Sequence, residues 1–171
     1  MKVTGYAIRE ALRRWQLRRD TADSQFKGTL MRFKDEVKAS PLDVIQKIAD
    51  AEVAVAKLQV LQTVYNSRVT VSVEGVGSNL TLLECIKRFG GLGRVEKHWR
   101  DAATEKPDRY GLTDRSVREE GQVYAERAIS FEDASRQAIV TGLLLGKLRE
   151  AVAVGNAREI EFESLDATLF E

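Results

Sequence analysis

The sequence contains few of the residues from which reaction centres and covalent cross-links are built. One cysteine and one histidine in 171 residues exclude a disulfide framework and a cage of Cys and His ligands around a metal ion. Only two prolines are present, so we expect long elements with few enforced breaks. No apolar run approaches the roughly 18 residues of a membrane-spanning helix, and residues 1–20 lack the apolar region of a signal peptide. We therefore expect a protein of the reducing cytoplasm.

The charges of the chain nearly cancel. With 27 Lys and Arg against 26 Asp and Glu, the net charge is +1, which gives no general attraction to nucleic acid or to a membrane, and we expect neither as a partner. Residues 1–40 nevertheless carry ten basic and five acidic residues, whereas residues 150–171 carry one basic and six acidic ones. These oppositely charged ends are expected either to meet inside one subunit or to join neighbouring subunits.

Hydrophobic spacing predicts a helical hairpin over residues 1–66. From Ile8 to Val37, a stripe that includes Phe33 recurs at steps of three and four, which is close to the spacing of a coiled coil. Ser40 is the expected N-cap of a second helix that starts at Pro41 and runs to about Tyr65. Because the connection between them is short, the two helices are expected to be antiparallel.

Residues 67–171 are predicted to combine short strands with two further long helices, within a single domain of residues 1–171. Strands are expected where apolar and polar residues alternate: 68–74, 123–129 and 158–163. Residues 75–79 have the composition of a turn, and 104–121 are expected to form a mobile loop. The predicted fold class is therefore mainly α with a small β component.

The two further helices are delimited by their predicted caps. Ser78 or Thr81 is expected to cap a helix that runs from Leu82 to about Ala103. Residues 130–133 resemble a capping box at the start of the last helix, which is expected to stop at Gly155 and Asn156.

Neither His98 nor Cys85 is expected to catalyse a reaction. His98 lies in a charged helical stretch that favours a surface position, and Cys85 lies among Leu and Ile residues that favour the core. No spacing typical of metal ligands is present. We therefore predict a protein that is not an enzyme and has no cofactor and no metal site. Scattered carboxylates leave an enzyme open, but no motif supports one.

Two groups of glycines have spacings that resemble functional motifs. Gly90, Gly91 and Gly93 follow a helical segment and lack the third glycine of a dinucleotide-binding loop, so a helix break or kink is favoured over a phosphate-binding loop. Gly142 and Gly146 lie four residues apart, which predicts a packing face, either within the subunit or across an interface.

The candidate functional residues fall into two sets. Those expected at a subunit interface are Trp15, Phe26, Gly142 and Gly146. Those expected to bind an anionic ligand are Arg19, Arg68, Arg94 and Arg127. Because Arg19 lies on the apolar seam of its helix, it is expected to reach solvent, to pair with an inward carboxylate or to bind an anion.

The order of these elements resembles the septicolysin-like family of uncharacterised bacterial helical proteins. The segments that carry the resemblance are Arg9–Leu17, Leu61–Asn66, Gly77–Leu83 and Val123–Val154. The glycine cluster and the acidic tail after Gly155 depart from the family pattern. The resemblance implies a helix-rich, oligomeric protein of bacterial or phage origin, and it assigns no catalytic residue.

Two functions are therefore expected. The first is a non-catalytic homo-oligomer that acts by binding, since an apolar-striped hairpin needs a cover and self-association supplies one. The alternative is sequestration or sensing of a nucleotide-like anionic small molecule in a pocket between subunits.

Overall fold

The structure, a computed structural model, describes residues 1–31, 33, 34, 36, 39–104 and 128–171. The fold is mainly α with a small β component, as predicted. The helices among these residues are α1 (Gly5–Thr29), α2 (Pro41–Arg68), α3 (Leu82–Thr104) and α4 (Phe131–Ala157). The strands are β1 (Lys2–Thr4), β2 (Thr70–Val73), β3 (Gly77–Thr81) and β4 (Glu159–Glu161), and a 3-10 turn follows at Ala167–Phe170.

The helices pack as two antiparallel pairs. In the first pair Gly5 lies against Tyr65, whereas Arg19 bonds to Glu52, so positions later in α1 contact positions earlier in α2. The same holds for α3 and α4, because Leu82 at the start of α3 lies against Gly155 near the end of α4 and Phe89 lies under Arg149. The pairs contact each other much less than their members do. The predicted antiparallel hairpin over the first two helices is therefore confirmed.

The core lies where the ends of the four helices meet the strands. Its largest fully buried side chains include Ile8, Tyr65, Leu82 and Leu148, one from each helix. The hydroxyl of Tyr65 lies 2.7 Å from the carbonyl oxygens of both Gly155 and Arg158, which share its single proton. This tyrosine therefore ties the end of α2 to the end of α4.

The first helix is shorter than its apolar pattern predicts. Helix α1 ends at Thr29, and Phe33 is 84% exposed rather than part of the seam; Val37 lies outside the described residues. Gly28 and Thr29 both have low helix propensity, so the helix ends there although the apolar spacing continues beyond it.

One of the two glycine predictions was wrong. Helix α3 is not broken at Gly90, Gly91 and Gly93, because Phe89 and Leu92 pack against the core on either side of the first two. Helix α4 ends at Ala157, within one residue of the predicted end at Gly155 and Asn156. Gly155 also lies so close to Leu82 that a Cβ would come within 2.7 Å of its Cδ1 atom.

The strands form two antiparallel pairs, β1 with β4 and β2 with β3. The predicted strand at 68–74 is confirmed as β2, and the one at 158–163 as β4. Strand β1 was not predicted, and β3 occupies residues that were expected to form only a turn. The strand predicted at 123–129 and the mobile loop predicted at 104–121 lie largely outside the described residues, and Thr104 is the last residue of α3.

The three helix caps lie at predicted residues, and in two of them the side chain makes the capping hydrogen bond. Thr81 caps α3: its Oγ1 accepts from the N–H of Glu84, whose carboxylate accepts from the N–H of Thr81. Ser130 caps α4 by accepting from the N–H of Asp133 at 3.0 Å. Ser40 precedes α2 but its side chain makes no capping hydrogen bond.

The oppositely charged ends of the chain meet inside one subunit. Strand pairing places Lys2 opposite Glu161. The guanidinium of Arg14 donates to the carbonyl of Phe170 at 2.6 Å, and the indole N–H of Trp15 donates to the carbonyl of Leu169 at 3.0 Å. Of the two arrangements considered, the structure shows the intramolecular one.

Candidate interaction surface

Helix α2 carries a second apolar stripe on the face opposite its buried one. We call this second row the α2 stripe. At 100° per residue, its members fall within an arc of about 80°, and they span about 27 Å along the helix. All are exposed, with Leu42 at 76%, Val60 at 66% and Val53 at 56%. The residues of the α2 stripe are Leu42, Ile45, Ala49, Val53, Ala56 and Val60.

The composition of α2 explains why two opposite faces are apolar. The inward face, which includes Val44, Ala51, Val55 and Leu58, is buried and lies on the side that packs against α1. A helix with one apolar stripe needs one neighbouring element to cover it. A helix with apolar residues on two opposite faces is typical of a buried position between two neighbouring elements. Among the residues that the structure describes, only one of these faces is covered within the subunit.

Polar side chains border the α2 stripe on both sides. On one side Glu52 accepts from the guanidinium of Arg19 at 3.4 Å. On the other side lie Asp50, which accepts from Gln46 at 2.8 Å, and Lys57, whose ammonium lies 3.7 Å from a carboxylate oxygen of Asp166. An apolar centre with a polar rim is the ordinary anatomy of a protein–protein interface.

The outer face of α4 is a second, less continuous apolar surface. Ile139 and Leu143 are 64% and 65% exposed. Nothing lies within 4 Å of a Cβ built at Gly142 or Gly146, so these glycines are not used for close packing within the described part of the subunit. The exposed Glu150 lies on this face, so charge interrupts it.

The two aromatic residues predicted for an interface are used at least partly within the subunit. Trp15 packs against the core and donates to the tail, and the guanidinium of Arg18 stacks on its ring at 4.6 Å. Phe26 is half-buried on α1. Both residues lie on α1, which packs against α2, and neither belongs to the α2 stripe.

The arginines predicted to bind an anion are not brought together by any contact among the described residues. Arg19 bonds to Asp20 and Glu52, which are exposed rather than inward carboxylates, and Asp20 raises the pKa of its guanidinium. Arg68 lies over the ring of Phe162 at 5.2 Å. Arg94 is exposed on α3, and Arg127 lies outside the described residues.

The described residues do not assemble an obvious reaction centre. Cys85 is fully buried, and burial raises the pKa of its thiol, which disfavours the reactive thiolate. His98 is exposed on α3. Within the described ranges no cluster of His, Cys, Asp or Glu could hold a metal ion, and no buried side-chain polar atom lacks a hydrogen-bond partner.

A groove of about 470 Å³ lies beside β1 and the start of α1. Its lining includes Lys2, Glu10, Arg14 and Glu159, so charges of both signs are present. Arg14 is already bonded to the tail. The groove therefore shows no selection for an anion.

Among the helices that the structure describes, none is both long enough and apolar enough to span a membrane.

Sequence reasoning missed the α2 stripe, although the sequence contains its signal. Lys47, Asp50 and Lys57 are charged, and charges spaced along a helix are typical of a solvated face. The apolar residues between them recur at steps of three and four, offset from the inward set by half a turn. A search for a second stripe on the same helix finds them.

No protein-family model and no curated protein sequence matches this chain. Its fold is similar to that of a crystal structure described as a functionally unknown conserved protein from Corynebacterium diphtheriae, with a TM-score of 0.71 and 12% sequence identity. The similarity covers 94% of this chain and all of the other. At this identity the likeness shows the fold alone, and the septicolysin-like resemblance stays a prediction.

Proposed function

We propose that this protein is a non-catalytic self-assembling protein whose α2 stripe packs against a second copy of the chain. The supporting observation is the stripe itself, six exposed apolar residues in line on the face opposite the core. The largest exposed apolar patch on a typical monomer measures about 300–600 Å² and is often functional, which makes the α2 stripe a candidate interaction site. A second copy brings an identical stripe, so both sides of the contact are apolar.

Charge favours a neutral partner over nucleic acid or an anionic membrane. Helix α2 carries three acidic and three basic side chains, so its outer face has no surplus charge to attract either. The alternative of an anionic ligand has less support, because Arg19 is paired with carboxylates and Arg68 lies over an aromatic ring.

The size of the α2 stripe predicts a weak association. A contact about 27 Å long and about 10–15 Å wide amounts to roughly 300–400 Å² per copy, about half of the ~800 Å² per partner that is standard for specific complexes. We therefore expect dissociation constants in the micromolar range rather than the nanomolar range.

Sedimentation velocity over about 1–100 μM tests the proposal. The wild-type chain, 19.2 kDa as a monomer, is expected to shift toward twice this mass as its concentration rises. Val60→Asp places a charge on the α2 stripe, at its C-terminal end, and is expected to remain monomeric. Leu17→Asp is the matched control, because Leu17 on α1 is also 66% exposed, and it is expected to behave like wild type.

A wild-type chain that stays monomeric throughout this range would overturn the proposal. So would equal loss of association in both aspartate variants, because the effect would then follow from added charge rather than from its position.

A further inference from the structure

We propose that two copies pair through antiparallel α2 helices, with the two-fold axis beside Val53 and with Lys57 of each copy facing Asp50 of the partner. This inference rests on the proposed self-assembly and specifies its geometry. The observation that carries it is the arrangement of opposite charges along one border of the α2 stripe.

Lys57 and Asp50 lie on the same border, seven residues apart. Seven residues are almost two full turns, so their directions from the helix axis differ by only about 20° and their levels differ by about 10.5 Å. In an antiparallel pair each border of one helix faces the same border of the other. A two-fold axis midway between positions 50 and 57 therefore brings each Lys57 level with the partner's Asp50, and the symmetry makes this ion pair twice.

Parallel pairing gives a poorer charge arrangement. In a parallel pair, opposite borders of the two helices face each other. Glu52 of one copy then lies beside the partner's Asp50, because the two positions differ by only two residues along the helix. Two carboxylates at an apolar contact repel each other and disfavour it. In the antiparallel arrangement the two Glu52 side chains approach the axis, but each is already paired with Arg19 at 3.4 Å within its own subunit.

The alternation of small and larger residues fits the same register. With the axis between positions 53 and 54, Ala56 of the partner comes level with the gap between Ala49 and Val53. The partner's Ala49 comes level with the gap between Ala56 and Val60. Side chains of one helix then fall between those of the other, as ridges-into-grooves packing requires, and the alanines allow a short distance between the axes.

The contacts that Lys57 and Asp50 make within the subunit do not prevent them from forming ion pairs with a second copy. Lys57 is 56% exposed at its side chain and lies 3.7 Å from Asp166. Gln46 donates to one oxygen of the Asp50 carboxylate. Exposed pairs of this kind contribute little to stability, so Lys57 can turn to a second carboxylate without loss of the fold.

Disulfide trapping tests the register with two matched variants. In Val53→Cys the two introduced thiols differ in level by about 1.5 Å, within the span of a disulfide. In Val60→Cys they differ by 13 residues, or about 20 Å. Oxidation at 50–100 μM, about the top of the sedimentation range, is expected to convert Val53→Cys to a covalent dimer and to leave Val60→Cys monomeric on a non-reducing gel. The buried Cys85 stays in all variants, and wild type is the control for its reactivity.

Charge reversal gives an independent measurement. Asp50→Lys and Lys57→Asp alone are each expected to raise the dissociation constant by about three- to tenfold, and the double variant is expected to return it to within about twofold of wild type. A residue that only stabilised the monomer would not be restored by the second reversal.

The outcomes separate the two proposals. A monomeric wild type contradicts self-assembly and the register together. A dimer in which Val60→Cys cross-links as well as Val53→Cys has parallel helices, and a dimer in which neither cross-links is not formed by α2 in this register; either result overturns the inference while leaving self-assembly in place. Failure of the double charge variant to recover association also overturns it.

Discussion

Any side chain added at Gly5 is expected to lower the stability of the fold, because the ends of three helices meet around this residue. A Cβ at this position would lie 2.7 Å from the Cε1 atom of Tyr65, and closer still to the side-chain oxygen of Asn156. Neither neighbour can move freely. The hydroxyl of Tyr65 is bonded to the end of α4, and Asn156 is 2% exposed, with its amide donating to the carbonyl of Val152. In Gly5→Ala the added methyl group must therefore displace buried atoms.

The expected cost follows from overpacking. Extra methyl groups in a filled core cost about 1–3 kcal/mol, and at the first residue of α1 alanine gains little from helix propensity to offset this. Gly90 provides the matched control, because it lies inside α3 and nothing is within 4 Å of its Cβ position. There the same substitution is expected to stabilise the fold by about 0.5–1 kcal/mol.

Thermal unfolding of both variants checks the sign and the size. For a chain of this length, 1 kcal/mol changes the midpoint by about 2–4 °C. Gly5→Ala is therefore expected to unfold about 2–12 °C below wild type, and Gly90→Ala up to about 4 °C above it. If Gly5→Ala unfolds at the wild-type temperature, or if Gly90→Ala falls by as much as Gly5→Ala, the close packing at the helix ends is not the cause.

Three further predictions concern single polar groups. Tyr65→Phe removes the donor to the buried carbonyl of Gly155 and is expected to lower the unfolding free energy, measured in urea, by about 1–3 kcal/mol. Tyr6→Phe, at a 48% exposed residue, is expected to change it by less than about 0.5 kcal/mol. Ser130→Ala should cost about 1 kcal/mol because it removes a cap, and Ser40→Ala should cost less, because its side chain makes no capping bond. Hydrogen bonds from the N–H and hydroxyl of Thr81 lower the pKa of Glu84. Wild type is therefore expected to have a higher unfolding free energy than Glu84→Gln at neutral pH. This difference is expected to disappear as the pH falls through the lowered pKa of Glu84.

Most of the fold could be predicted from local patterns, because each helix carries an apolar stripe with the right period. Alternating valines likewise identified β2. The ends of the helices and the shortest strand were harder to predict. The stripe of α1 continues past Thr29, and only the low helix propensity of Gly28 and Thr29 marks the end. Strand β1 has three residues, too few to show alternation, and it exists because β4 pairs with it.

The glycines show why a residue type alone does not determine a role. Gly90 lies in the middle of an uninterrupted helix, although composition favoured a break there, whereas Gly155 lies close to the end of its helix, as predicted. The reason is tertiary. Packing of Phe89 and Leu92 against the core maintains α3, and the close approach of Leu82 explains the glycine in α4. Neither contact has a signal in the local sequence.

Core and surface effects should separate in this molecule, because the candidate interface and the core lie on opposite faces of α2. Gly5→Ala acts where the helix ends meet, and it is expected to lower stability without changing self-association measured well below its unfolding temperature. Val60→Asp acts on the outer face, where the side chain is 66% exposed, and it is expected to abolish self-association while leaving the monomer's unfolding free energy within about 0.5 kcal/mol of wild type. If instead Val60→Asp unfolded the chain, the outer face would be part of the monomer's own core, and the case for a second copy covering it would no longer hold.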